Sequence, residues 1–598
     1  MDIFAIIKLL GGLAMFLYGI EIMGDGLKNS SGAALKRILE KVTGNPIMGV
    51  LTGTLVTAVI QSSTATIVLT VALIGAGVLS LRQAVSIVLG ANIGTTITAQ
   101  IIRLMDIDSG GNLFLEFCKP ETLAPIALVV GIILIMFIKN KSANTAGDIF
   151  IGFGILFSGL MNMTAAVDPL ADSPAFAAVL SNFANNPLLG ILSGLVLTVV
   201  VQSSSAMVGM LQALSSTGAM TFSMVYPIVM GINLGTCVTT AMVCSIGSSK
   251  DAKRTGVVHI TFNTIGTVLF MILMTVLQKN AVFGADFWVR TIDSGGIANF
   301  QTIFNLLTAV VLLPFTSQLV ALSKVLVRED KPREMVHPEL HTLDEKLYIS
   351  PAVAMSEATK AVAAMGAIAR DNFRRCSQQL FQYDASVLQG LDEDENALDT
   401  FADDSDHFLI GLSKALESES DDRQLDMLMQ VVPSFERIGD YGTNLVEMSQ
   451  RLQEESTIFS ETAKKELGII CDAVNEIVAL TVDVFATDDR QRVKTIEPLE
   501  EVIDDMVMIL RDRHTKRLKN GACSVGSGLV FMETLTYLER TSDHCSSIAV
   551  MMMARDNEAI LQNHYEYLRE LHSGNDALYR AEKERRREQY IKPLKAVQ

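Results

Sequence analysis

Through about residue 325 the chain alternates apolar runs with short polar breaks, and from Lys324 onward it turns charged and helical. Runs such as Ile126 to Ile138, Val196 to Val201 and Thr264 to Leu277, counted with their flanking small residues, can span about 30 Å of hydrocarbon. This pattern predicts an all-α chain with a polytopic membrane domain over 1–325 and no further span beyond it. Crossings are expected near 3–23, 84–102, 122–138, 148–163, 222–244, 257–277 and 303–323, the last as an extra helix, with 45–80 and 187–218 as re-entrant helical hairpins. Met1 to Met23 lacks a basic start and a small-residue cleavage site, so it reads as the first transmembrane helix rather than a signal peptide.

The polar positions repeat. Asn45-Pro46, Gly53, Gln61-Ser62-Ser63, Gly77, Asn92, Gly94 and Thr95 recur 141 positions later as Asn186-Pro187, Gly194, Gln202-Ser203-Ser204, Gly218, Asn233, Gly235 and Thr236. Phe16 to Met23 likewise matches Leu156 to Met163, so the repeats cover about 3–138 and 148–277. The loop at 24–44 carries Lys28, Lys36, Arg37 and Lys41, whereas its counterpart at 164–186 has no Lys or Arg, only Asp168 and Asp172. Cytoplasmic loops are the basic ones, so equivalent loops lie on opposite sides and the repeats are expected to be inverted. The same count puts Lys139, Lys141, Lys250, Lys253 and Arg254 inside and delivers the later part of the chain to the cytoplasm. Inverted repeats with discontinuous helices form a transporter architecture whose site lies where the halves meet.

Irregular backbone at membrane depth must be enclosed by protein or line a cavity. Gln61, Ser62, Ser63 and Thr64 offer one amide and three hydroxyls, and Gln202, Ser203, Ser204 and Ser205 offer the same. At a hairpin tip, the following half-helix adds free N–H groups and its positive dipole end, which suits a tetrahedral oxyanion. A second pair of clusters, Gly90 to Thr98 and Gly231 to Thr239, supplies Asn92, Thr95, Thr96, Asn233, Thr236 and Thr239 as neutral oxygens, the ligands a Na⁺ ion prefers. Their glycines permit close helix approach or local unwinding. Neither cluster contains Lys or Arg. A divalent anion there would be poorly compensated by dipoles alone, so a co-transported cation is expected. Ser, Thr and Gly in membrane helices commonly serve packing instead, and two matched four-residue clusters are harder to explain that way. The net charge of −17 argues against nucleic acid as a partner. No P-loop, nucleophile–base pair or zinc spacing is present, so no enzyme is expected. The cysteines number seven and contain no C-x-x-C, so Cys376, Cys471, Cys523 and Cys545 read as reduced cytosolic thiols.

The paired Q-S-S segments, the G-x-N-x-G-T segments and the H-x-x-F-N element at His259 to Asn263 resemble the Na⁺/phosphate cotransporter family over residues 1 to about 320. The stretch around Phe304-Asn305 shares the F-N at an offset of 42, aligning Gln301 with His259. The resemblance implies sodium-dependent transport of inorganic phosphate, with Na⁺ as coupling ion and the Q-S-S segments as substrate and ion site.

After a linker at 326–344, the sequence is duplicated again: Ser434 to Leu445 matches Tyr537 to Ile548, and Glu395 to Asp399 matches Glu500 to Asp504. Two three-helix bundles, about 345–455 and 460–570, account for this part, and a charged tail over 571–598 is expected to touch lipid headgroups. Glu395/Asp399, Glu436/Asp440, Glu500/Asp504 and Glu539/Asp543 each set two carboxylates at i and i+4, where like charges repel. A bound cation would relieve that repulsion; the alternative is a solvated acidic face, the better reading for Asp392 to Asp406, or salt bridges to Arg437 and Arg540. These motifs resemble the PhoU family of paired three-helix bundles with E-x-x-x-D clusters, which implies a divalent or iron-type metal. Metal binding is less expected in the second copy, where Ser542 and Ser547 replace Gly439 and Asn444. The expected setting is the inner (plasma) membrane, with inorganic phosphate, Na⁺ and membrane lipid as partners and a homodimer left open. Phosphate efflux, or a phosphate-signalling receptor that does not transport, is the alternative function.

Overall fold

The computed structural model describes residues 3–40, 45–75, 78–106, 117, 119–138, 140–170, 186–245, 250–280, 282–328, 337–416, 419–557, 560, 563–572 and 576–597. Two compact units divide at Pro332 and Arg333. Both are helical, and no strand occurs among the described residues.

Unit 1 comprises α1 (Ile3–Glu40), α2 (Pro46–Ile60), α3 (Ser63–Gly75), α4 (Leu81–Gly94), α5 (Thr96–Ile102), α6 (Pro120–Phe137), α7 (Lys141–Val167), α8 (Pro187–Val201), α9 (Ser204–Ser215), α10 (Phe222–Ser245), α11 (Lys250–Lys279), α12 (Ser294–Leu312) and α13 (Thr316–Leu326). All seven predicted crossings coincide with helices long and apolar enough to span a membrane. The expected loop at 24–44 is instead helical as far as Glu40, and Lys41 lies outside the described residues, as do Gly77, Lys139 and Asp172. The expected helix at 303–323 is broken by a 3₁₀ turn at Leu313–Phe315, where Pro314 cannot donate to the α-helical ladder.

The duplication is visible in the packing. Asn45 and Asn186 cap α2 and α8 by accepting from the amides of Ile47 at 3.0 Å and Leu188 at 3.2 Å, each followed by a proline at the first helical position. A Cβ on Gly53 would lie 2.1 Å from the Ile87 carbonyl, and one on Gly194 would lie 2.2 Å from that of Ile228. These glycines let α2 and α8 lie directly on the backbones of α4 and α10. The opposite faces, Ile47/Leu51/Leu55 and Leu188/Leu192/Val196, are exposed and wholly apolar, a lipid-facing pattern. The helices that open the repeats also meet reciprocally: Gly12 abuts the Gly159 carbonyl and Gly19 that of Gly152. Equivalent helices α1 and α7 therefore run antiparallel.

Unit 2 holds α14 (Pro351–Gln378), α15 (Leu388–Ser413), α16 (Glu419–Glu454), α17 (Glu461–Thr487), α18 (Ile496–Lys519) and α19 (Val525–Ala554), followed by α20 (His564–His572), α21 (Ala577–Arg586) and α22 (Lys592–Ala596). The first six pack as two three-helix sets, with α14 against α17 and α16 against α19 between the sets. Contrary to expectation, one helix beyond Lys324, α14, also meets the length and composition of a span, making eight such helices among the described residues. Its apolarity is explained by burial, since Val362, Met365, Ala369 and Phe373 form bundle core.

The C-terminal tail also departs from expectation. It docks on the second bundle: buried Arg586 pairs with Glu476, Lys583 pairs with Glu501, and Arg513 donates to the Leu594 and Val597 carbonyls at 3.0 and 3.3 Å. Tyr579, Tyr590, Ile591 and Leu594 of the tail are themselves buried. Lys583, Arg586 and Arg587 of the tail are matched by bundle carboxylates, while Arg585 and Lys592 pair with Glu582 and Glu588 of the tail itself, a division that sequence spacing alone does not reveal.

Candidate functional site

Both Q-S-S segments are breaks between half-helices, and both breaks have the same shape. Gln61 closes α2 at φ 58°, ψ 18°, and Gln202 closes α8 at φ 57°, ψ 20°, each in the left-handed region. Their amides still bond back into the helix, to the Thr57 carbonyl at 2.8 Å and the Thr198 carbonyl at 2.7 Å. The next residues open the return helices: Ser62 Oγ accepts from Ala65 N at 3.2 Å, and Ser203 Oγ from Ala206 N at 3.2 Å. That leaves the first amides of α3 and α9, on Ser63/Thr64 and Ser204/Ser205, without intrahelical acceptors.

The two copies differ around this common backbone. Gln61 is buried, with Oε1 accepting from Thr98 Oγ1 at 2.7 Å and Nε2 donating to the Ala58 carbonyl, and Thr57 Oγ1 donates across the break to Thr66 Oγ1 at 2.9 Å. In the second copy Met207 stands where Thr66 does, Thr198 Oγ1 is buried without a partner, and Gln202 is exposed. Thr57 and Thr98 are positioning residues that the sequence reading missed. Their mates Thr198 and Thr239 lie at the same offset of 141, which was the available signal.

At the second pair of clusters, α4 passes into α5 with only Thr95 between them, and α10 runs unbroken. The glycines serve close approach, not unwinding: a Cβ on Gly90 would lie 2.0 Å from the Val50 carbonyl, and one on Gly231 would lie 2.1 Å from that of Ile191. Thr95 and Thr96 donate to the Ala91 and Ile93 carbonyls of α4 at 3.0 and 2.7 Å, and Thr236 and Thr239 donate to carbonyls of α10 at 2.6 and 2.9 Å. Asn92 and Asn233 do likewise through Nδ2, at 3.0 and 3.1 Å. Asn92 Oδ1 is further engaged by His259 Nε2 at 3.2 Å and Asn263 Nδ2 at 3.3 Å. The repeats interlock here, because α3 packs on α10 and α9 packs on α5; Gln212 of α9 donates to the Ala99 carbonyl at 3.1 Å.

In unit 2, Glu500, Asp504 and Asp543 bring ligand oxygens within 4.8 Å of one another. Burial first, then Glu497, Asp504 and Asp543, pushes Glu500 up to about 9. Burial and then Asp543 push Asp504 up to about 6. Glu539 is drawn off to Arg511 at 2.6 Å. In the first bundle Glu395, Glu436 and Asp440 are all raised, chiefly by burial, and Arg437 holds Asp440 at 2.9 Å. Asp399 is exposed there. The tighter cluster thus lies in the second copy, the reverse of the expectation. The acidic run at Asp392 to Asp406 is largely solvated, except that buried Asp394 pairs with Arg375 at 2.6 Å and His337 at 2.8 Å.

The family model of the Na⁺/Pi-cotransporter matches twice, over residues 15–165 and 161–286. The first unit of the chain belongs to the Na⁺/Pi-cotransporter family. The PhoU domain model matches residues 362–449 and 467–552, one copy per bundle of unit 2, so this phosphate-transporter unit is joined to a PhoU pair. YqeW of Bacillus subtilis (strain 168) is 27% identical over 316 residues, 53% of this chain and 96% of its own length. YjbB of Escherichia coli (strain K12), whose name proposes inorganic phosphate export, is 22% identical over 92% of this chain and 98% of its own. Human sodium-dependent phosphate transport protein 2B is 33% identical over 104 residues, 17% of this chain and 15% of its own. No solved structure matches. The doubled match of the cotransporter family mirrors the doubled hairpin, with Gln61 in the first matched segment and Gln202 in the second.

Proposed function

We propose that the chain moves inorganic phosphate across the inner membrane together with Na⁺, and that its PhoU unit, on the cytoplasmic side, regulates that movement. The observation that carries this reading is the matched pair of left-handed glutamines, each at the head of a half-helix with free amides. Hydroxyls and amides at two helix N-termini, contributed by interlocked repeats, form a donor-rich setting for an oxyanion. The antiparallel α1/α7 pair supports whole-repeat inversion, and with it alternating access about a fixed site. Gln61, Ser62, Ser63 and Thr64 would hold one side of the anion and Gln202, Ser203, Ser204 and Ser205 the other. The donors here are neutral, so a co-bound cation offsets the anion's charge. The protein breaks no covalent bond in this reading and acts as a transporter, not an enzyme.

Among the acidic residues, Glu500, Asp504 and Asp543 would hold a divalent cation, which would relieve the repulsion that raises their carboxyls. Relatives named for phosphate export extend through the PhoU unit, which favours a second reading with net movement outward. Counterflow of labelled phosphate in proteoliposomes, with the Na⁺ gradient set in each direction, tests both. Acceleration only when Na⁺ and phosphate move together supports symport. Movement indifferent to Na⁺ contradicts it.

A further inference from the structure

The return helix of the second hairpin, α9, carries a buried amide that its mate lacks. Gln212 lies 141 positions after Val71 of α3. Both side chains belong to residues 2% exposed, so an apolar group satisfies the packing here in one repeat and a glutamine takes its place in the other. A buried amide is costly unless its donors and its acceptor are spent, and Gln212 spends only the donor end. Its Nε2 lies 3.1 Å from the Ala99 carbonyl, 3.1 Å from the Ser294 carbonyl and 2.9 Å from Ser294 Oγ. Its Oε1 is buried without a partner among the described residues. Turning the amide over would set Oε1 against two carbonyl oxygens, so those carbonyls fix its orientation.

The oxygens that Gln212 reaches belong to two other helices: Ala99 lies in α5, and Ser294 opens α12. These two are laced to each other beyond the junction. Gln100 Nε2 donates to Thr302 Oγ1 at 2.9 Å, Arg103 Nη1 donates to Asn299 Oδ1 at 3.2 Å, and Asp106 accepts from the Gly295 amide. Next to Ala99 in α5 stands Thr98, whose hydroxyl donates to Gln61 Oε1 at 2.7 Å. Adjacent residues of one short helix therefore grip both hairpins, the first at its tip through Thr98 and the second on its return helix through Ala99. Ser204, at the head of α9, precedes Gln212 by two turns, about 12 Å along the helix. Loosening Gln212 frees α9 from α5 and α12 without touching any residue of either Q-S-S segment.

We propose that Gln212 is a positioning residue for the phosphate site, fixing the second glutamine-headed tip relative to the first through α5. This rests on the phosphate-binding reading above and deepens it. A hydrogen-bonded path carries coupling only if its two ends respond together, and that sets the test. Phosphate counterflow by the full chain in proteoliposomes is measured at saturating Na⁺ for Gln212→Met, which is close in volume and has no donor, for Thr98→Val, and for the two combined. Each single change should raise the phosphate KM about tenfold and alter kcat less, and the combination should raise KM by less than the product of the two. Gln212→Asn, which keeps the amide on a side chain one methylene shorter, should also raise KM and stands in where Gln212→Met does not fold. A wild-type KM in the Gln212 variants with only kcat lowered, the mark of fewer active molecules, overturns the proposal alone, as do single effects that simply multiply. Wild-type counterflow in both Gln61→Ala and Gln202→Ala overturns the phosphate site and the proposal together.

Discussion

Gln61 and Gln202 share one backbone conformation but not one environment, and replacing each by glycine separates the two contributions. A non-glycine residue in the left-handed region costs about 1–2 kcal/mol, so glycine should recover roughly 1 kcal/mol at each break. At Gln202 nothing offsets that gain, because the side chain is exposed and has no hydrogen-bond partner among the described residues. At Gln61 the change removes the bonds to Thr98 and Ala58, worth about 1 kcal/mol each, and strands the buried Thr98 hydroxyl at a further cost of about 1 kcal/mol or more. Gln202→Gly should therefore stabilise unit 1 by about 1 kcal/mol, and Gln61→Gly should destabilise it by about 2 kcal/mol. Thermal unfolding of the purified full chain should show Tm moving in opposite directions, by about 1–2 °C per kcal/mol at this size. Phosphate counterflow should be lost in both. A Tm that falls equally in both variants, or transport retained in either, refutes the reasoning.

Three further predictions follow from the packing and charge. Gly53→Ala forces a methyl against the Ile87 carbonyl and should destabilise by about 3 kcal/mol, whereas Gly75→Ala, with nothing within 4 Å, should be neutral or stabilising by thermal unfolding. Glu500 and Asp504 have raised carboxyls, about 9 and about 6, so their protonated forms favour the fold. Stability should be greatest below the ordinary carboxylate range and fall as pH rises toward 9. Fluorimetry of the full chain in chelator should show that slope, flattened in Glu500→Gln and reduced in the wild type by a divalent cation. Arg586→Ala removes a buried partner from Glu476 and should cost about 3 kcal/mol; hydrogen exchange should then show residues 577–597 opening ahead of the bundle, while equal protection would contradict the docked tail.

The sequence carried the helices and the duplication well, because both rest on periodicity. A span needs a long apolar run, and a repeat at one offset exposes itself through rare residues such as Gln61 and Gln202. What it did not carry is the partner of each polar group. The glycines of α4 and α10 were compatible with unwinding or close approach, and only the abutting Val50 and Ile191 carbonyls decide between them. Glu539 and Glu500 look alike in sequence, yet Arg511 neutralises the first while the second stays in a cluster. The tail looked free because its partners Glu476, Glu501 and Arg513 lie 81 to 110 residues earlier.

The central claim is that two glutamine-headed half-helices hold phosphate while Na⁺ offsets its charge. Counterflow of labelled phosphate in proteoliposomes, measured in sodium and in choline for the wild type, Gln61→Ala and Gln202→Ala, tests it most directly. The account predicts sodium-stimulated counterflow in the wild type and none in either variant. Normal counterflow in both variants, or a wild-type rate that is the same in choline, would contradict it.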